Sequence, residues 1–424
     1  MKKLNVAALG CGERARIYCD LMMTEEQPFE VVAGADVVPG RVEKMRVISR
    51  NPDFRGFAST DELLAQDKLA DMVIVATQDI YHFEHCKQAL LKGYDVMLEK
   101  PAATEMAHVV ELGKLARELG RRIIVCFVLR YTPFYRTVKE VLNSGRLGDI
   151  ISLSADEGVT PWHFSHAFVR GHWSIGEKSS PMIVAKCCHD TDMIHWLIGK
   201  ECKSIASFGE LKYYKKENAP EGATTRCTDG CPHAQTCKFS ALRFASDKRF
   251  PWLPQVFDRA HEAEPEEIIE WLKTSPWGRC VYHCDNNVAD HQVMSMEFEE
   301  GITAEFSINS FNAGRHIEIF GTKGRLKGGE FYKEHCGFEL CVEDHEGNFE
   351  IIEVPEVPVN DAHGGGDSGL ICQLYELMTS DEDQLASASS IHAAVHSHLI
   401  AFAAEQSRLE GKVIKLEHFT QPSI

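Results

Sequence analysis

The chain is expected to join a doubly wound parallel α/β domain to an α+β domain built on a large, mainly antiparallel open sheet. Three observations predict this. Apolar strand-like runs alternate with helical segments from Leu4 to Val125. The first run ends in a glycine turn, Gly10-Cys11-Gly12-Glu13-Arg14-Ala15. Beyond Tyr131 the alternation stops, and a series of strands precedes a long terminal helix.

In order, the first domain is predicted to contain strands at Leu4–Leu9, Phe29–Ala35, Met72–Ala76, Asp95–Leu98 and Arg122–Phe127. Helices are predicted through Ile17–Met23, Arg41–Ile48, His82–Lys92 and Met106–Leu119. Next come a helix at Thr132–Ser144, a strand at Ile150–Asp156, an aromatic and polar stretch, and one continuous helix from Met182 to Leu197. Strands are expected at Ser204–Phe208, Gln292–Phe298, Thr303–Ser310, Arg315–Phe320, Gly324–Lys327 and Phe338–Val342, with a final helix at Ile391–Glu410. The domains are placed at residues 1–127 and 128–424, the second interrupted by a cysteine-rich insertion at about 213–284.

A length of 424 residues suits two domains, and 44% hydrophobic with 25% charged residues is an ordinary globular balance. The net charge of −18, with no Lys/Arg cluster, argues against nucleic acid. No run of about eighteen apolar residues predicts a membrane span, and the start leads directly into the glycine motif, so a cytoplasmic location is expected. Most of the 15 cysteines read as reduced core thiols.

The glycine turn has a steric and electrostatic logic. Gly10 permits the tight turn, Gly12 lets a pyrophosphate approach the backbone, and Ala15 keeps the following helix close to the sheet, with Cys11, Glu13 and Arg14 completing the loop. The second strand ends at Asp36, where a carboxylate accepts bonds from both ribose hydroxyls and repels the extra phosphate of NADP. Arg41, five residues on, is the counterweight, and NAD is the expected cofactor. Thr77, Gln78 and His82 follow the next strand at the edge where such sheets bind ligands, although Gln78 and Asp79 also suit a helix cap. The next strand delivers Glu99-Lys100-Pro101 to that edge, where Lys100 is placed to exchange a proton with a substrate hydroxyl and a Glu99–Lys100 surface pair is the alternative.

Taken in this order, Gly10–Ala15, Thr77-Gln78-Asp79 and Glu99-Lys100-Pro101 resemble the glucose–fructose oxidoreductase, inositol dehydrogenase and rhizopine-catabolism (Gfo/Idh/MocA) family. The resemblance extends through Gly145–Ile150, His189–Asp192, Phe320–Gly324 and Ser407–Gly411. It implies a Rossmann domain, an α+β domain with an open sheet, a homodimer or homotetramer, and a sugar, glycoside or cyclitol substrate. It also implies that Lys100 and a helical histidine, here His189, handle the hydroxyl proton. An aspartate usually stands one turn before that histidine, but this chain has Ala185 followed by Lys186, so Asp192, at i+3, is the expected orienting group. Three functions compete: an NAD-dependent dehydrogenase, an NAD-dependent glycoside hydrolase that oxidises, eliminates and re-reduces, and a non-catalytic sensor.

The stretch Thr160–Trp173 mixes aromatic rings with imidazoles and a guanidinium, a set suited to stacking on sugar C–H faces and donating to hydroxyls. Trp162, His166, Arg170, Trp173 and Lys186 are therefore expected to contact substrate beside His189. In the insertion, Cys227, Cys231 and Cys237 fall within eleven residues, a density suited to structural zinc. Cys284 is the expected fourth ligand, with Cys280, Cys202 and His233 as alternatives, and free thiols compete evenly with a metal. His363, on a glycine run, can reach the active site, and Asp367 is read as the cap of the next helix.

Overall fold

The computed structural model describes the chain apart from residues 1, 25–26, 247–251, 261, 330–332, 334–335, 358–361, 381–389 and 420–424. Six parallel strands, β1 (Leu4–Leu9), β2 (Phe29–Ala35), β3 (Arg55–Phe57), β4 (Met72–Val75), β5 (Asp95–Leu98) and β6 (Ile123–Val125), form one sheet in the order β3-β2-β1-β4-β5-β6. The strand order reverses between β1 and β4, and a doubly wound sheet opens its ligand crevice at such a reversal. Central strand β4 is buried on both faces, as its unbroken Met-Val-Ile-Val run requires. Helices cover the two faces, among them α1 (Glu13–Thr24), which opens directly from the glycine turn.

The second sheet has nine strands: β7 (Ile150–Gly158), β8 (Cys202–Glu210), β9 (His291–Phe298), β10 (Thr303–Asn309), β11 (Gly314–Gly321), β12 (Gly324–Gly329), β13 (Leu340–Asp344), β14 (Phe349–Ile351) and β15 (Ile414–Lys415). Every pairing is antiparallel except that of β7 with β10. Strict alternation on β9 and β10 turns Met294, Met296, Phe306 and Ile308 into the core and leaves the serine- and glutamate-rich face outside. The long helix Ile391–Glu410 packs on the inner face against β8, at the span the sequence predicts.

Three local expectations change. The edge strand β3 and the short helix Thr60–Ala65 escape prediction. The helix expected at Met182–Leu197 is two helices, Met182–Ala185 and Cys188–Ile198, separated at Lys186 and Cys187. The aromatic stretch is helical, running from Pro161–Phe164 into a π-turn over Ser165–Val169. Between β8 and β9 the insertion gathers a small core of its own from Phe244, Leu253, Ile268, Leu272 and Trp277, so it is less polar inside than its sequence suggests. Among the described residues no helix is long and apolar enough to cross a membrane.

Candidate active site

The glycine turn lies where β1 meets α1. Gly10 has φ +88°, and a Cβ there would meet the Ala76 carbonyl oxygen at 2.7 Å, so the turn needs glycine on two counts. At Gly12, by contrast, a Cβ would meet nothing within 4 Å, which leaves the backbone open for a large group to approach. The Asp36 carboxylate, at the end of β2, accepts the backbone N–H of Cys11 and of Val38, each at 2.9 Å. These features fit a dinucleotide: an open backbone at Gly12, a helix N-terminus behind it, and a fixed carboxylate beside the ribose position. The Cys11 thiol donates to the Ala35 carbonyl, and burial followed by Asp36 pushes its pKa up to about 12, so it is a packing thiol. Arg41 reaches across to Asp258 of the insertion at 3.4 Å.

Arg14, Glu99 and His82, all expected to contact cofactor, are engaged with protein groups. Arg14 donates through Nε to Glu99 at 2.9 Å and through Nη1 to Asp367 at 3.0 Å. Glu99 accepts the Tyr18 hydroxyl at 2.6 Å and the Lys100 backbone N–H at 3.0 Å. Burial raises the Glu99 pKa, but Arg14, Tyr18 and Lys100 outweigh it and hold the carboxyl below its ordinary range. Asp367 is not a helix cap, because that helix, Gly366–Thr379, is capped at Gly365; its carboxylate serves Arg14 and His363. His82 places Nδ1 2.8 Å from the Pro101 carbonyl and Nε2 3.1 Å from that of Thr77, joining the loops after β4 and β5. Thr77 bonds His85, and Gln78 occupies a helix N-cap without a side-chain cap bond.

Lys100 emerges from this braced floor. Its Nζ donates to the Ala185 carbonyl at 3.0 Å, an oxygen left outside the helical ladder by the break at Lys186–Cys187. His189, on the helix after the break, is 4% exposed, and its Nδ1 has no hydrogen-bond partner among the described residues. Burial first, then the positive charges of Lys100, His363, Arg315 and Lys186, holds the ring well below the usual histidine range and so in its neutral form. The His363 ring stands 6.1 Å from that of His189.

Asp192 does not orient His189. It takes a bidentate pair from Arg130, both bonds 2.6 Å, and the Ser397 hydroxyl at 2.8 Å. A group that sequence reasoning missed stands beside the histidine: Arg315 contacts Glu157 at 2.7 Å and Asp190 at 2.8 Å, and Lys186 contacts Glu157 at 3.1 Å. Burial pushes the Asp190 carboxyl up against the pull of Arg315, and Glu157 adds to the rise.

In the aromatic stretch the expected residues divide. Trp173 donates Nε1 to Asp79 at 2.7 Å and ties the stretch to the nucleotide domain. Trp162 packs against Phe239 and Phe244 of the insertion. His166 is buried among Phe244, Trp252 and Trp277, and Arg170, 1% exposed, donates to the Arg279 carbonyl (2.7 Å), the Phe239 carbonyl (2.7 Å) and the Cys227 sulfur (3.8 Å). Nearby, His163 stacks on Trp252, and burial first, then Lys186, His166, Lys100 and His363, lowers its pKa to about 3. In the insertion, Cys284 donates its thiol to the Cys280 carbonyl at 3.2 Å, and it is Cys280 rather than Cys284 that lines one cavity with Cys227, Cys231 and Cys237. Among the described residues no group of three or more His, Cys, Asp or Glu side chains is arranged to hold a metal ion.

Comparison with known proteins places this geometry in context. Residues 4–127 match the family described as an oxidoreductase family with an NAD-binding Rossmann fold, and residues 139–416 match its C-terminal alpha/beta domain. The Bacillus subtilis protein YteT is 25% identical over 390 residues, covering 86% of this chain and 87% of its own. Inositol 2-dehydrogenase of Streptomyces avermitilis is 27% identical over 228 residues, which span 52% of this chain and 59% of that enzyme. Among solved structures, an Agrobacterium radiobacter oxidoreductase in complex with NAD+, L-tartaric acid and magnesium superposes with a TM-score of 0.69 at 15% identity, covering 99% of this chain and 100% of the other. Scyllo-inositol dehydrogenase of Lactobacillus casei, with bound NAD(H) and scyllo-inositol, gives 0.63 at 15% identity, covering 98% and 100%. The chain belongs to the Gfo/Idh/MocA oxidoreductase family and is an NAD-dependent oxidoreductase.

Proposed function

We propose that the chain oxidises a secondary hydroxyl of a sugar, glycoside or cyclitol, with Lys100 and His189 as the catalytic pair. The observation that carries this reading is a buried His189 whose Nδ1 has no partner among the described residues, four positions beyond the Ala185 carbonyl that holds Lys100 Nζ. Gly10, Gly12, Ala15 and Asp36 would hold the pyrophosphate and ribose of NAD, and NAD when bound supplies the hydride acceptor. The substrate hydroxyl sits between the two side chains. His189 takes its proton, and Lys100 donates a hydrogen bond to the oxygen as negative charge develops there. His163 and His363 offer further polar contacts at the rim, and the Arg315–Glu157–Lys186 group fixes the charge behind His189. The serine- and glutamate-bearing outer face of the nine-stranded sheet, which also exposes Phe208 and Val293, is the surface for a homodimer or homotetramer.

Incubation with NAD and a panel of sugars, cyclitols and glycosides tests the reaction, following NADH absorbance and product mass together. NADH accumulating in proportion to a ketone product is the expected result. Glycoside cleavage without net NADH, with solvent deuterium in the product, would replace it with the oxidation–elimination–reduction reading. NAD binding without turnover of any panel member would favour a sensor.

A further inference from the structure

The insertion brings four cysteines to one place by backbone pairing rather than by a local motif. The segments around Cys227 and Cys280 pair through the bridge Arg226↔Arg279, with Cys227 N–H donating to the Gly278 carbonyl at 3.0 Å and Cys280 N–H to that of Thr225 at 2.9 Å. Cys231 and Cys237 close the opposite side, and Cys227, Cys231, Cys237 and Cys280 line one cavity of about 20 Å³ with His233. Such a volume admits a single small occupant.

Two features bear on the occupant. First, four sulfurs and the His233 ring line this one small cavity, a donor set that suits tetrahedral Zn²⁺. Cys284, Cys202 and Cys11 lie outside it, and each donates its thiol to a carbonyl. Second, Arg170 is 1% exposed, has no carboxylate partner among the described residues, leaves Nη1 without a hydrogen bond, and points Nη2 at the Cys227 sulfur. A buried guanidinium needs a compensating negative charge.

We propose that Cys227, Cys231, Cys237 and Cys280 bind one structural Zn²⁺ as a tetrathiolate, with Arg170 as its buried counter-charge. Each of the four thiols loses its proton to solvent as its S–Zn bond forms, and no electrons are exchanged. The resulting centre carries a net double negative charge, which the guanidinium partly offsets. The metal would draw the four side chains into a closed shell and fix the platform on which Trp162, His166 and Trp277 pack. This site is separate from the proposed hydroxyl chemistry and stands whether or not that reading holds.

The test is metal content of the purified full chain by mass spectrometry, with free thiols counted in parallel. About one zinc per chain is expected. Cys284→Ser and His233→Ala should keep it, whereas Cys280→Ser should lose at least about tenfold in zinc affinity. Loss in Cys284→Ser with retention in Cys280→Ser overturns the ligand set. Because a cysteine variant can misfold, the wild-type chain is also reconstituted with Co²⁺ under reducing conditions. Sulfur-to-cobalt charge-transfer bands with tetrahedral visible bands support the tetrathiolate. Their absence, no bound metal after reconstitution, or iron with acid-labile sulfide overturns the proposal.

Discussion

Partly buried Arg14 and fully buried Arg170 satisfy their guanidinium groups in opposite ways. Arg14, below the nucleotide loop, meets two carboxylates and a tyrosine hydroxyl, and Glu99 at its centre also receives a backbone N–H. Arg170, in the insertion, meets two carbonyls and one sulfur. The first network closes upon protein groups alone and makes a rigid floor for Lys100. The second is left with positive charge to balance, and that difference points to a partner from outside the chain.

The largest effect is expected where the closed network delivers its product. Lys100→Ala should lower kcat by about 10²–10⁴ while NAD affinity, read by fluorescence titration, stays unchanged. Equal loss of NAD binding would make Lys100 part of the floor rather than the reacting pair. Next, Glu99→Ala should cost about 3–5 kcal/mol in chemical denaturation, because Arg14 and Tyr18 lose their shared acceptor. A cost below about 1 kcal/mol would place the pair among weakly coupled surface ions and end the contrast.

Arg170→Met tests the other side through its sign. In zinc-loaded protein it should destabilise by about 1–3 kcal/mol, and after chelation it should be neutral or stabilising, since an uncompensated charge has been removed. The same sign in both states would dissociate Arg170 from the thiolates.

The smallest effect concerns His166, whose pKa is lowered to about 3 by burial, with Arg170 and His172 adding to it. Between about pH 6.5 and the folded value the unfolded chain binds the extra proton, so this contribution is intact above about pH 6.5 and fades as pH falls. His166→Phe, which preserves ring packing, should recover up to about 2 kcal/mol at pH 5 relative to wild type and nothing at pH 8. An unchanged acid profile in thermal melts would count against a neutral, buried ring.

Much of the fold was legible because its signals are local. Leu4–Leu9 and Met72–Val75 are apolar runs bounded by turn residues, and Ile391–Glu410 lies between a serine cap and a left-handed glycine. Three-residue β3, exposed over Arg55 and Gly56, carries too little apolar pattern to show itself. The helix break at Lys186–Cys187 was hidden because Met182-Ile183-Val184-Ala185 and Cys187-Cys188 read as one nearly unbroken apolar run. In the site, Lys100 and His189 were legible from their motifs, but their surroundings were not. Within Thr160–Trp173 the mixture of residue types could not separate one side chain from another: His166 and Arg170 turn into the insertion, where Phe244, Trp277 and the Phe239 and Arg279 carbonyls hold them. Arg315 meets Glu157 and Asp190 only because β11 pairs with β7, and no spacing along the chain records that encounter.

The ion pair between Arg14 and Asp367 spans 353 positions of sequence. At a synthesis rate of about 5–20 residues per second, the first strand and its glycine turn leave the ribosome roughly 20–70 s before their last carboxylate is made. Through that interval the nascent nucleotide fold holds a partly buried arginine one acceptor short. The amino-terminal half is therefore first to be made, yet it reaches its final charge balance only near the end of translation.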